Sequence, residues 1–134
     1  MKNKSISALL ILLFSIITLL GCTKKNDQTK CIGFTKAPVT KIEGSNVALV
    51  NQEIDLTISF QCYDGCGQFG NFINAITGNE TIITVNAKYE GCICTQDFPI
   101  RSTIYKIKKS QKGTFNLRFF QTENTFLTHT IVVQ

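Results

Sequence analysis

The sequence predicts an all-β fold, an antiparallel Ig-like β-sandwich of about seven short strands over residues 37–134. Three observations carry that expectation. Apolar and polar residues alternate in run after run, which is the period of a half-buried strand, and helical spacing is weak. Turn signals break the runs at short intervals: Glu43-Gly44-Ser45-Asn46, Asp64-Gly65, Thr77-Gly78-Asn79, Glu90-Gly91, Lys112-Gly113 and Glu123-Asn124. Thr, Ile, Val and Phe dominate this part of the chain, a strand composition. With no Trp in the sequence, the Cys-Trp-Cys core of true immunoglobulin domains is missing, so the expectation is one of architecture.

The elements follow in order. Pro38 opens an edge strand running to about Ile42, because proline has no N–H to give a ladder. Glu53 to Cys62 is the clearest strand. It places Ile54, Leu56, Ile58, Phe60 and Cys62 on one face and Asp55, Thr57, Ser59 and Gln61 on the other. Phe69 to Ile76 is ambiguous. Phe69, Phe72, Ile73 and Ile76 have helical spacing, yet Gly70, Asn71 and Asn74 weaken a helix, and a strand or irregular crossover is expected. Thr81 to Tyr89 alternates again, with Ile83, Val85, Ala87 and Tyr89 inward. Thr103 to Lys108 turns Tyr105 and Ile107 inward, and Phe115, Leu117 and Phe119 do the same after Lys112-Gly113. The last strand places Leu127, His129, Ile131 and Val133 on one face.

The N-terminus carries a different signal. Lys2 and Lys4 precede an uncharged apolar run from Ile6 to Leu20, the layout of an export signal. The run is about 15 residues, short for a membrane span of roughly 20. Its ending, Leu19-Leu20-Gly21-Cys22, resembles the lipobox of bacterial lipoproteins. The resemblance implies cleavage before Cys22, a diacylglycerol thioether on its sulfur and acylation of its new α-amino group. Two or more chains hold a protein on a membrane stably. The expected organisation is a signal peptide at 1–21, a lipidated N-terminus and flexible tether at 22–36, and the sandwich at 37–134. Thr23 and Lys24 stand where many inner-membrane lipoproteins carry a retaining aspartate, which favours the outer membrane. The stretch TKKNDQTK has no apolar residue and reads as a solvated tether.

Removing residues 1–21 leaves 113 residues, enough for one domain with its own core. Of 14 basic residues, Lys2 and Lys4 leave with the signal, so 12 face 9 acidic ones, a net +3. Lys106, Lys108, Lys109 and Lys112 gather at a strand end and its turn. No aromatics interleave them, so a solvated rim or a protected edge is expected and no nucleic-acid partner.

With Cys22 lipidated, five cysteines remain: Cys31, Cys62, Cys66, Cys92 and Cys94. Export implies an oxidising setting and disulfides, and five thiols allow 15 ways of forming two bridges. Cys92 and Cys94, two apart, point the same way in a strand and pair poorly with each other. Cys66 with Cys94 is the expected bridge, since each follows a tight turn. Cys62 with Cys92 is the second, and the swapped pairing is its nearest competitor. Cys31 falls in the tether and is expected to be the odd one out. A four-thiolate site of Cys62, Cys66, Cys92 and Cys94 for copper or zinc is the alternative, although neither half has Cys-x2-Cys spacing.

Asp64-Gly65-Cys66-Gly67 with Phe69 and Phe72, then Tyr89-x-Gly91-x-x-Cys94-Thr95 and a late Gly113-x-Phe115-x-Leu117 strand, resembles small uncharacterised lipoproteins of Bacteroidota. In these one cysteine follows a turn glycine and another precedes a threonine. The resemblance spans most of residues 36–134 and implies the sandwich fold, with no activity attached.

No phosphate loop, Gly-x-Ser-x-Gly elbow or His-Glu-x-x-His appears, and no catalytic residue or cofactor is expected. His129 is read as a core or rim histidine, and Asp55, Asp64, Glu90 and Asp97 have only nearness to a motif in their favour. The expected function is a lipid-anchored, non-catalytic module that binds an envelope protein or glycan or scaffolds an envelope complex. The loops Tyr63 to Asn71 and Gly91 to Pro99 would carry recognition. Of the aromatics there, Phe69, Phe72, Tyr89 and Phe98, core packing is the expected fate of each.

Overall fold

The computed structural model describes residues 31–134. The signal segment, Cys22 and the tether up to Lys30 lie outside the described residues. Nine strands and no helix make up the rest: β1 (Ile32–Ala37), β2 (Val39–Glu43), β3 (Val47–Ala48), β4 (Glu53–Gln61), β5 (Gly67–Thr77), β6 (Glu80–Glu90), β7 (Ile100–Lys108), β8 (Gly113–Thr122) and β9 (Thr125–Val133). They form two sheets packed face to face. The smaller runs β2-β4-β7, and the larger β1-β6-β8-β9-β3 with β5 on the free edge of β6.

The alternation in the sequence becomes the core. Leu56, Ile58 and Phe60 of β4 are fully buried against Ile83 and Val85 of β6 and Leu117 and Phe119 of β8, with Ile131 and Val39 completing the layer. The intervening Asp55, Thr57, Ser59, Thr84 and Asn86 face outward, as period-two side chains must.

β6 organises the larger sheet. One edge pairs with β5; the other is shared, β1 running antiparallel along residues 85–90 and β8 parallel along 80–83. β3 also joins β9 in parallel. These two parallel pairings depart from an all-antiparallel sandwich. Alternation sets which face of a strand is buried and says nothing about its neighbour. Pro38 is where the first strand changes sheets. Ala37 pairs with Val85 in one sheet and Val39 with Phe60 in the other, both buried, and proline between them breaks the ladder.

One expectation is corrected and one ambiguity resolved. Residues 32–36, assigned to the tether, form β1 of the larger sheet. Ile32 and Phe34 face solvent there, so the strand shows no buried stripe. Phe69 to Ile76 is a strand, part of β5, the first of its two expected readings, and its helical spacing has a physical cause. The β5–β6 register slips between Phe69 and Asn71, so Phe69 opposes Ala87 and Phe72 opposes Val85, with Gly70 the extra residue of a bulge. Two inward-facing phenylalanines thus stand three apart in a strand. A side chain at Gly70 would lie 2.6 Å from the Asn86 carbonyl oxygen, so only glycine fits. Rings then line one side of the core in sequence, Phe60–Phe69–Phe72–Tyr105–Phe119, with centroids 4.8–6.3 Å apart.

Candidate functional site: the cysteine-bridged end

β6 and β4 both finish at one end of the sandwich, where β1 and β7 begin. The loop after β4 (62–66) and the loop after β6 (91–99) meet there, and all five described cysteines gather with them. Cys66 is bonded to its expected partner Cys94 (S–S 2.02 Å, Cα–Cα 5.5 Å). The second bridge joins Cys31 to Cys92 (S–S 2.04 Å, Cα–Cα 5.0 Å), and Cys62 stays a buried free thiol. The expected Cys62–Cys92 bridge is therefore corrected, and so is Cys31 as the odd cysteine. β1 causes both. Its pairing of Ile32 with Glu90 carries Cys31 beside the end of β6, where the Gly91 N–H donates to the Cys31 carbonyl at 2.9 Å. Cys62 is the last inward residue of the β4 alternation and is 0 % exposed, out of reach of a surface loop.

Main-chain and side-chain bonds tie the loops together. Gly65 N–H donates to the Thr95 carbonyl (3.0 Å) and Cys62 N–H to the Pro99 carbonyl (2.9 Å). Asp64 accepts the Cys66 N–H at 2.9 Å, and the Thr95 hydroxyl donates to Asp97. Arg101, on β7 opposite Phe60, donates from Nε to the Gly67 carbonyl (3.2 Å) and from Nη2 to that of Gly65 (3.3 Å). Gly67 packs so closely that an added Cβ would lie 2.7 Å from the Cys62 sulfur and 2.8 Å from the Tyr89 ring. Burial pushes the Cys62 thiol up, and Asp64 adds to this, while Arg101 and a hydrogen bond with Tyr89 oppose it. Burial also pushes up the Tyr89 hydroxyl, which accepts the Tyr63 N–H at 2.9 Å.

The chemistry open to this end follows from its sulfur. Asp64, Cys66 and Cys94 offer ligand atoms within 4.8 Å of one another, but both sulfurs are spent on a bridge. Of the four cysteines of the thiolate alternative, only Cys62 keeps a thiol. The candidate carboxylates are likewise engaged and scattered. Asp55 meets Lys106 (3.3 Å), Glu90 meets Lys88 (2.7 Å), and Asp64 and Asp97 serve the loops. His129 is half-buried on β9, far from the cysteines in the fold, and its Nε2–H donates to the Ser45 carbonyl at 3.2 Å.

The expected recognition aromatics divide. Phe69 and Phe72 pack against the core, and Tyr89 joins them with its hydroxyl in the loop network. Phe98 does not pack: it is 62 % exposed. Ile93, 96 % exposed between the two bridged cysteines, was not singled out from the sequence. Cys-x-Cys held the signal, since two sulfurs drawn toward the domain leave the middle side chain outside. Arg101 was missed as well, because a cation that caps carbonyls of distant loops leaves no local pattern.

A family model described as the ORF11 beta-sandwich domain matches residues 56–133, from β4 to the end of β9. No curated protein and no solved structure matches the chain.

Proposed function

The chain belongs to the ORF11 beta-sandwich domain family, and from that premise we propose that it is a lipid-anchored envelope lipoprotein acting as a non-catalytic binding module. Its sandwich is a rigid scaffold, and its bridged end is the binding end. Cys22 carries the lipid, and the outer membrane rather than the inner one receives it. What supports the anchor is sequence: the Lys2/Lys4 n-region, the uncharged run Ile6 to Leu20, and Leu19-Leu20-Gly21-Cys22.

The single observation that carries the binding reading is the cross-braced loop pair. Two bridges and the Arg101 contacts fix loops 62–66 and 91–99 in one arrangement while leaving Ile93 and Phe98 uncovered. A preorganised apolar surface binds without first being ordered. A thiolate copper or zinc site has less support, since a bridged sulfur has no thiolate to give.

Cell fractionation tests the anchor. The wild-type chain should partition with membranes, and Cys22→Ala should be released or left unprocessed. A Cys22→Ala chain that matures and stays on membranes unchanged would remove the anchor from the account.

A further inference from the structure

Exposed apolar side chains stand at both ends of the sandwich, and the larger group is at the bridged end. Ile32, Tyr63, Ile93, Phe98 and Ile100 all stand at the bridged end. At the opposite end, exposed Val47, Leu49 and Val132 lie beside the turn from β7 to β8, among Lys106, Lys108, Lys109 and Lys112. There Lys106 pairs with Glu53 and Asp55, and Lys109 sits over the Phe115 ring. Single exposed apolar residues need no explanation, but a cluster marks a surface that meets something.

Chain length says what it meets. Cys31 is bonded to Cys92, so the N-terminal segment enters the domain at the bridged end. Eight residues lie between Cys22 and Cys31, and fully extended the nine steps between the two cysteines reach at most roughly 30 Å. A lipid on Cys22 therefore holds the bridged end, not the opposite one, within a short reach of the bilayer. We infer that the bridged end seats on the bilayer itself, with Ile93 and Phe98 entering the headgroup region beside the anchor. The inference rests on the lipid-anchored reading and names the partner of its binding end.

The polar inventory agrees with a lipid surface. The main-chain donors of Cys62, Gly65, Gly67 and Gly91 are used within the loops. Asp64 and Asp97 are bonded to their own loops and Glu90 is paired with Lys88. Beside exposed Thr95 and Gln96, what remains turned outward is the apolar group Tyr63, Ile93, Phe98 and Ile100, which suits a non-directional interface. Because the nearby carboxylates give no attraction for anionic headgroups, seating is driven by apolar contact and needs no anionic lipid.

The chain contains no tryptophan, so one introduced residue is a clean reporter. The full lipidated protein is placed on phosphatidylcholine vesicles brominated in their acyl chains, with Ile93→Trp, Phe98→Trp or, in the turn at the far end, Asn79→Trp. The first two reporters should shift to the blue and lose emission to bromine, equally at low and high salt, and the third should do neither. Reporters at 93 and 98 that stay water-like on chains that float with the vesicles would overturn the seating and leave the anchor intact. The same result with both sites shielded in native envelopes would assign this end to a protein partner, again against the proposal. Chains that fail to float would remove the anchor and the seating together.

Discussion

Truncating Phe60 to alanine probes the centre of the fold. The ring is fully buried on β4, tilted against Phe69 at 6.3 Å. Phe60 is also held in register with Val39 on one side and Arg101 on the other. Phe→Ala in a core costs about 3–5 kcal/mol, as lost burial plus the cavity left behind. Collapse into that cavity is restricted, because neighbouring strands fix the backbone on both sides. The upper part of the range, about 4–5 kcal/mol, is therefore expected. The proper control is Ile104→Ala on β7, which is 46 % exposed on the outer face of the same sheet and should cost under about 1 kcal/mol. Urea unfolding with the bridges intact measures both, and the midpoint of Phe60→Ala should fall several times further. Equal midpoints for the two variants would mean that the phase of this sheet is inverted, since a one-residue slip exchanges its faces.

The remaining expectations concern the bulge and the cysteines. Gly70→Ala presses a Cβ onto the Asn86 carbonyl and should destabilise by about 1–3 kcal/mol in the same assay; a neutral result would remove the bulge. Chain entropy assigns about 3.5 kcal/mol to the Cys66–Cys94 bridge and about 4 kcal/mol to Cys31–Cys92, whose sequence separations are 28 and 61. The paired alanine variants should each lose most of that in non-reducing urea titrations, and a loss below about 1 kcal/mol would contradict the pairing. Cys62, Tyr89 and Tyr105 are each pushed up, chiefly by burial, so the folded chain holds their protons more tightly than the unfolded one. That stability is full below the ordinary thiol range of about 8.5 and is lost as pH rises through the thiol and phenol range above it. Thermal melts should show an alkaline decline that is shallower in Cys62→Ala, and identical pH profiles would refute the role of the thiol.

How much could be read from the sequence depends on which residues face the core. β4, β6, β7, β8 and β9 turn buried residues inward at period two, and each was legible from that alone. β1 was not, because Ile32 and Phe34 point to solvent and its neighbour Cys31 followed a polar tether. β5 was disguised by Gly70, whose extra residue turns a strand period into a helical one. The cysteine pairing depended on that hidden strand. Turn positions were enough to join Cys66 to Cys94, whereas Cys31 meets Cys92 only once β1 lies along β6. The bridged end was legible as a pair of loops. The exposure of Ile93 and Phe98 was not, because it follows from where two bridges pull the chain.

Intact mass of the protein purified from membranes, denatured without reductant and alkylated, tests anchor and bridges in one spectrum. A chain beginning at a lipidated Cys22, with two disulfides and a single alkylated thiol at Cys62, is expected. An unlipidated Cys22, a retained signal segment, or three or more alkylated thiols would contradict it.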